Sequence, residues 1–93
     1  MKKHRLSYPL KNAGSEAGTA LTELEFKRLT IGDVEESGID IETGKIEMSQ
    51  YVFLISRSTG IDDLIIKRLD FADMTPCVEI IQGFLLSSQQ EKS

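Results

Sequence analysis

The chain predicts an α+β fold: an N-terminal β-hairpin packed against three to four short α-helices. Three observations carry that reading. Apolar and polar residues alternate through Leu6–Leu10 and again through Thr19–Leu29. From Met48 onward the apolar residues return at helical spacing instead. The length of 93 residues fits one domain, 1–93, with a modest core.

In the first run Leu6, Tyr8 and Leu10 share one side, with Ser7 and Pro9 on the other. Pro9 has no N–H for a sheet ladder, so this strand belongs at an edge. Asn12–Gly18 is small and polar and reads as a turn. In the second run Thr22, Leu24 and Phe26 share one face, and Glu23, Glu25 and Lys27 the other. Together they predict a hairpin over 5–29. Such a hairpin is marginal alone and needs a cover on its apolar side.

The helical part, 30–87, supplies that cover. Thr30-Ile31-Gly32-Asp33 resembles a capping box with Asp in the fourth place. Asp33, Glu35 and Glu36 suit the positive end of the helix dipole, and Gly38 ends the helix. The second helix is expected over Lys45–Ser58, with Met48, Tyr51, Val52 and Ile55 as its buried stripe and Gly60 as its stop. Asp62 or Asp63 caps a short third helix whose apolar positions are Leu64, Ile65 and Leu69. The fourth and longest carries Met74, Cys77, Val78, Ile81, Phe84 and Leu85 at helical spacing. Pro76 favours Asp73 over Asp70 as its cap, because a first-turn proline removes no hydrogen bond and a second-turn proline does. The polar tail 88–93 is expected to fray.

Charge and composition narrow the function. There are 11 basic and 15 acidic side chains, a net charge of -4. Residues 33–47 hold six acids and one lysine, so that segment alone carries -5. A bulk electrostatic grip on nucleic acid or on an anionic membrane is disfavoured. Lys2, Lys3 and Arg5 precede no apolar run of the kind a signal peptide needs. No apolar stretch approaches the roughly 20 residues that cross a bilayer. Cys77 is alone, which excludes an internal disulfide and fits a reducing compartment.

Three motifs invite sharper readings. Asp33–Gly44 begins like a calcium loop, with Glu35 third, Ser37 fifth and Gly38 sixth, but its twelfth place is Gly44 instead of the bidentate Glu such a loop requires. A helix end followed by a solvated acidic loop accounts for it. Gln50–Leu69 has the outline of a helix-turn-helix, with Ile55, Ile61, Ile66 and Leu69 as its core. Its second helix would aim Asp62 and Asp63 at phosphates, which argues against DNA. For catalysis there is one histidine, His4, in a terminus expected to be mobile, and one cysteine on an apolar stripe, so no enzymatic activity is expected. Asp62, Asp63, Asp70 and Asp73 read as helix caps and not as a metal cluster. No metal and no cofactor is expected.

What stands out is surplus apolar surface. Phe53, Ile66, Ile80 and Leu86 fall off the main helical stripes. A helix apolar on more than one face is buried on more than one side. Either the hairpin covers that second side, or a partner or second subunit does. These four residues are the expected partner-binding set.

The opening Leu6-Ser7-Tyr8-Pro9-Leu10-Lys11 resembles the first strand of the phage tail assembly chaperones of contractile-tailed phages. Lys27-Arg28-Leu29-Thr30-Ile31-Gly32-Asp33 is similar to the step that follows their second strand. Ser58-Thr59-Gly60 before an acidic short helix, and Leu69-Asp70-Phe71-Ala72-Asp73 before a last helix ending Gly83-Phe84-Leu85, continue the likeness along nearly the whole chain. The resemblance implies a non-catalytic chaperone, in the cytoplasm of a bacterial host, that binds the tape measure protein before the tail tube polymerises. The alternative it leaves is a small structural or adaptor protein retained in the tail.

Overall fold

The computed structural model describes residues 2–14, 16, 18–40 and 42–90, with side chains through residue 85. Strands β1 (Lys2–Leu10) and β2 (Leu21–Phe26) form one antiparallel pair. Helices α1 (Ile31–Ser37), α2 (Met48–Thr59), α3 (Asp63–Ile66) and α4 (Phe71–Gln90) follow. The architecture is the expected α+β arrangement, an antiparallel hairpin followed by helices.

The hairpin begins at Lys2 instead of Arg5, with Lys2 opposite Phe26, Lys3 opposite Glu25, His4 opposite Leu24 and Arg5 opposite Glu23. Residues directly opposed share a face. Phe26 and Leu24 therefore turn toward the helices and are fully buried, while Lys3 and Glu25 pair outside at 3.7 Å. His4, expected in a mobile terminus, sits inside the ladder. The next opposed pair is Leu10 with Leu21, so Leu6, Ser7, Tyr8 and Pro9 face only Thr22. Such a slip changes which side a residue points to. Leu6 is buried and Tyr8 is 57% exposed, although strict alternation places them together.

The slipped strand explains a second departure. The Ser7 and Tyr8 amides donate to the Asp73 carboxylate at 2.8 and 3.1 Å. His4 Nε2 lies 3.0 Å from the same carboxylate. Asp73 is thus a fully buried tie between α4 and β1 and not the cap of α4. Asp70 starts the helix: its carboxylate accepts from the Ala72 amide at 3.0 Å and its carbonyl from the Asp73 amide at 2.9 Å. Pro76 consequently stands inside the helix, in its second turn. An interior proline costs about 3 kcal/mol. Hydrogen bonds to a charged group contribute roughly 1.5–3 kcal/mol each. Three of them outweigh the proline, and that fixes where α4 begins.

The remaining ends follow local chemistry. Thr30 Oγ1 accepts from the Asp33 amide at 3.1 Å, and Asp33 accepts from the Thr30 amide at 3.0 Å, which completes the capping box. Gly38 and Gly60 close α1 and α2 in the left-handed region, both at φ 75°. There a side chain would clash with its own backbone. Helix α2 starts at Met48 and not Lys45, because Lys45 pairs with Asp40 in a short bridge. The Glu47 amide then donates to Gln50 Oε1 at 2.8 Å. Asp62 caps α3 by accepting from the Leu64 amide at 2.8 Å. Helix α4 continues through Gln90, past the expected end at 87; residues 91–93, in the tail expected to fray, lie outside the described residues.

The core joins Leu6, Leu24 and Phe26 of the hairpin to Leu54, Ile55, Ile66, Cys77 and Ile81. Asp73, Cys77 and Ile81 stand at i, i+4 and i+8, so one line of α4 faces inward. Ser58 joins α2 to the end of β2: its hydroxyl donates to the Lys27 carbonyl at 2.6 Å, and the Lys27 amide donates to the Ser58 carbonyl at 3.0 Å. In α3 the expected faces are exchanged. Ile66 is buried and Leu64 is 67% exposed. With four residues α3 is barely one turn, too short for spacing to define a face.

Candidate functional site

The polar candidates resolve into fold chemistry. Glu35 and Ser37, the third and fifth places of the calcium-like loop, lie on helix α1. Asp33 serves the capping box and sits 3.8 Å from Arg57; Glu36 also pairs with Arg57. Asp40 accepts from the Glu42 amide at 3.0 Å and holds its own turn. Among the described residues no group of three or more His, Cys, Asp or Glu is placed to hold a metal ion. A reading of α2–α3 as a DNA reader meets a helix of one turn, too short to lie along a groove.

The His4–Asp73 pair is likewise structural. Burial of Asp73 raises its pKa, but donation from Ser7, from His4 and from Tyr8 outweighs it and holds the carboxyl below the ordinary value. Cys77, one turn further along, is fully buried, and its thiol is pushed up to about 12, first by burial and then by the Asp73 charge. A thiolate is the reactive species, so Cys77 is inert in the fold. A disulfide reagent such as DTNB should leave Cys77 essentially unmodified in native protein and titrate one thiol at once in denaturant. Fast reaction of the native thiol would show that this part of the core opens readily.

Among the described residues, a groove runs along each flank of the buried line of α4. The first lies between α4 and the start of α2 and has a volume of about 450 Å³. Ile46, Met48, Tyr51, Phe71, Met74 and Val78 supply its apolar lining. A hydrogen bond of 2.9 Å from Gln82 to the Tyr51 hydroxyl ties the two helices beside it. Phe71 is 75% and Met48 53% exposed. Both occupy the first position of their helix, where the dipole favours a carboxylate and nothing local favours an apolar side chain. Ile31 holds the same position in α1 and is exposed too, without lining this groove. The second groove, of about 560 Å³, runs along the opposite flank past Pro76, Ile80, Gly83 and Phe84, with Lys2 and Arg28 beside it.

The four residues expected at a partner surface are scattered by the fold. Ile66 is 3% exposed and belongs to the core, as the α3 geometry requires. Phe53 is half-buried, with the Arg57 guanidinium 5.0 Å from its ring centre. Ile80 is half-buried and lines the second groove. The Leu86 side chain lies outside the described residues. Met48 and Phe71 were not among the four. Met48 reads as part of the α2 stripe, and Phe71 precedes the α4 stripe. Their signal was position: an apolar residue directly after a helix cap.

The fold defines a small α+β protein that presents an apolar groove between α2 and α4. The chain matches the family model described as "Phage tail assembly chaperone proteins, E, or 41 or 14" over residues 3–86, and it belongs to that family. No curated protein and no solved structure matches it. The family gives it a role in tail assembly, with protein partners. Among the described residues no helix is long and apolar enough to cross a membrane.

Proposed function

We propose that the protein binds the tape measure protein in the host cytoplasm and keeps it soluble until the tail tube polymerises, acting by stoichiometric binding without catalysis. The observation that carries this reading is the α2–α4 groove with Phe71 and Met48 at its surface. A tape measure protein is long and helical, and an amphipathic helix laid into an apolar groove is a standard mode of recognition. Full burial of a large apolar side chain contributes roughly 1.5–3 kcal/mol, so these two alone support a useful affinity. The net charge of -4 keeps the loaded complex in solution.

Co-expression with the tape measure protein of the same tail gene cluster tests the proposal. The tape measure protein is expected in the soluble fraction, co-purifying with this chain. If it stays equally insoluble with and without the chain, the chaperone reading fails. Mass spectrometry of purified tails is expected to find the chain absent. Its retention there would favour a structural or adaptor role.

A further inference from the structure

The α2–α4 groove is long enough to seat a helix, and its rim carries one sign of charge. Phe71, Met74, Val78 and Gln82 line it at i, i+3, i+7 and i+11 of α4, a run of about 16 Å. Met48 and Tyr51 line it from α2. Met48 and Met74 have unbranched thioethers that adapt to many shapes. Such a floor selects weakly by fit, which leaves selection to the rim.

The rim is acidic. Glu79 is exposed in the lining and, among the described residues, has no ion-pair partner. Glu47 stands between the lining residues Ile46 and Met48, and Asp70 directly precedes Phe71; both are exposed. Glu47 holds the N-cap place of α2, and the Asp70 carboxylate accepts from the Ala72 amide at the start of α4. A helix start carries only about half a positive charge against the full negative charge of a carboxylate, so each end remains net negative. No cation on either wall balances them. Residues 46–56 and 70–90 contain no Lys or Arg, and none lines the groove. Arg57, next along α2, is engaged by Asp33 and Glu36. Lys2 lines the second groove only.

We propose that the α2–α4 groove selects, in its partner, an amphipathic helix with Lys or Arg along both flanks of its apolar stripe. The stripe packs on Met48, Phe71 and Met74, and the cations meet Glu47, Asp70 and Glu79. On the tape measure reading, on which this rests, the segments held are those with basic flanks.

The test uses designed peptides of about four helical turns, each held helical by a hydrocarbon staple. They share one Leu stripe and carry Lys, Gln or Glu on the flanks. Fluorescence anisotropy on the full chain at low salt should rank them Lys, Gln, Glu, with at least ~10-fold between first and last, the equivalent of about 1.4 kcal/mol. The ranking should collapse in ~1 M salt, where charges are screened within about 3 Å. It should also collapse for the triple variant Glu47→Gln, Asp70→Asn and Glu79→Gln, whose amides keep a side-chain acceptor and remove the charge. Phe71→Ser, which leaves the charge alone, should weaken the Lys peptide at least ~10-fold. Equal binding of the peptides, a ranking that survives the triple variant or high salt, or a Lys peptide indifferent to Phe71→Ser would overturn the proposal. So would binding of none of them, or self-association of the chain that Phe71→Ser abolishes, since the occupant would then be a second copy. Co-expression judges the function separately. A chain that solubilises the tape measure protein but binds the peptides equally keeps the function and loses the charge selection. An insoluble tape measure protein with the ranking intact fails the function and keeps the selection.

Discussion

Asp73→Ala should destabilise the protein by about 3–5 kcal/mol, since each buried donor left without an acceptor costs roughly 1–3 kcal/mol. The carboxylate is fully buried and receives the amides of Ser7 and Tyr8 together with His4. Alanine leaves two strand amides without acceptors, and β1 cannot supply others, because the slipped register gives Ser7 and Tyr8 no place in the ladder. Domains of this size hold about 5–15 kcal/mol in all. Urea unfolding should therefore show a midpoint far below wild type, and Tm should fall by well over ~10 °C. Asp73→Asn should fall between the two, because its NH₂ group points a donor at a donor. His4→Ala should cost least, since both amides keep their acceptor. A midpoint near wild type for Asp73→Ala would mean that the strand amides reach water and that the tie is dispensable.

The same residue sets an acid limit. Its folded pKa lies below the ordinary value, so the unfolded chain takes up this proton more readily. The stabilisation is complete above the unfolded carboxylate value of about 3.9, and it is lost as pH falls from there through the lower folded value. The stability gap between wild type and Asp73→Asn should be constant near neutrality and narrow below about pH 4. Denaturant titrations at stepped pH measure it directly. A gap that widened in acid would reverse the assigned direction.

How far the sequence reached depends on the range of the interaction concerned. The Thr30–Asp33 box, the stops at Gly38 and Gly60 and the Asp62 cap all close within a few residues, and each was legible in its own motif. So was the Leu24–Phe26 face of β2, where alternation persists without a slip. Asp73 was not legible, because an aspartate near a helix start already has a sufficient local explanation as a cap. The amides that claim it lie at the other end of the chain, on a strand whose slip has no sequence marker beyond Pro9. Ile66 and Leu64 exchanged places because one helical turn has no periodicity to read. The grooves were half legible. A surplus of apolar residues on α4 pointed to faces beyond the core, but Ile80 lines one of them while Met48 and Phe71 expose the other. Which residues of a surplus stay uncovered is decided by where each helix begins, and for α4 that was set by the distant tie at Asp73.

The double variant Phe71→Asp with Met48→Glu should separate binding from folding. Both positions are the first of a helix and both side chains are mostly exposed, so little core contact is lost. A carboxylate there faces the positive end of the helix dipole, which contributes about 0.3–1 kcal/mol of stability per site. Tm should hold or rise. At the groove the substitution removes two apolar side chains worth roughly 1.5–3 kcal/mol each on burial. It also introduces charges that a bound helix would have to desolvate. On the proposed function, affinity for the tape measure protein should fall by at least ~100-fold, since each 1.4 kcal/mol is a factor of ten. Pull-down from the co-expressing cells and titration calorimetry on the purified pair read this directly. A folded double variant that still solubilises the tape measure protein would move the binding surface away from the α2–α4 groove. An unfolded one would contradict the exposure of Phe71 on which the groove argument stands, because a side chain 75% open to water cannot be what holds the core together.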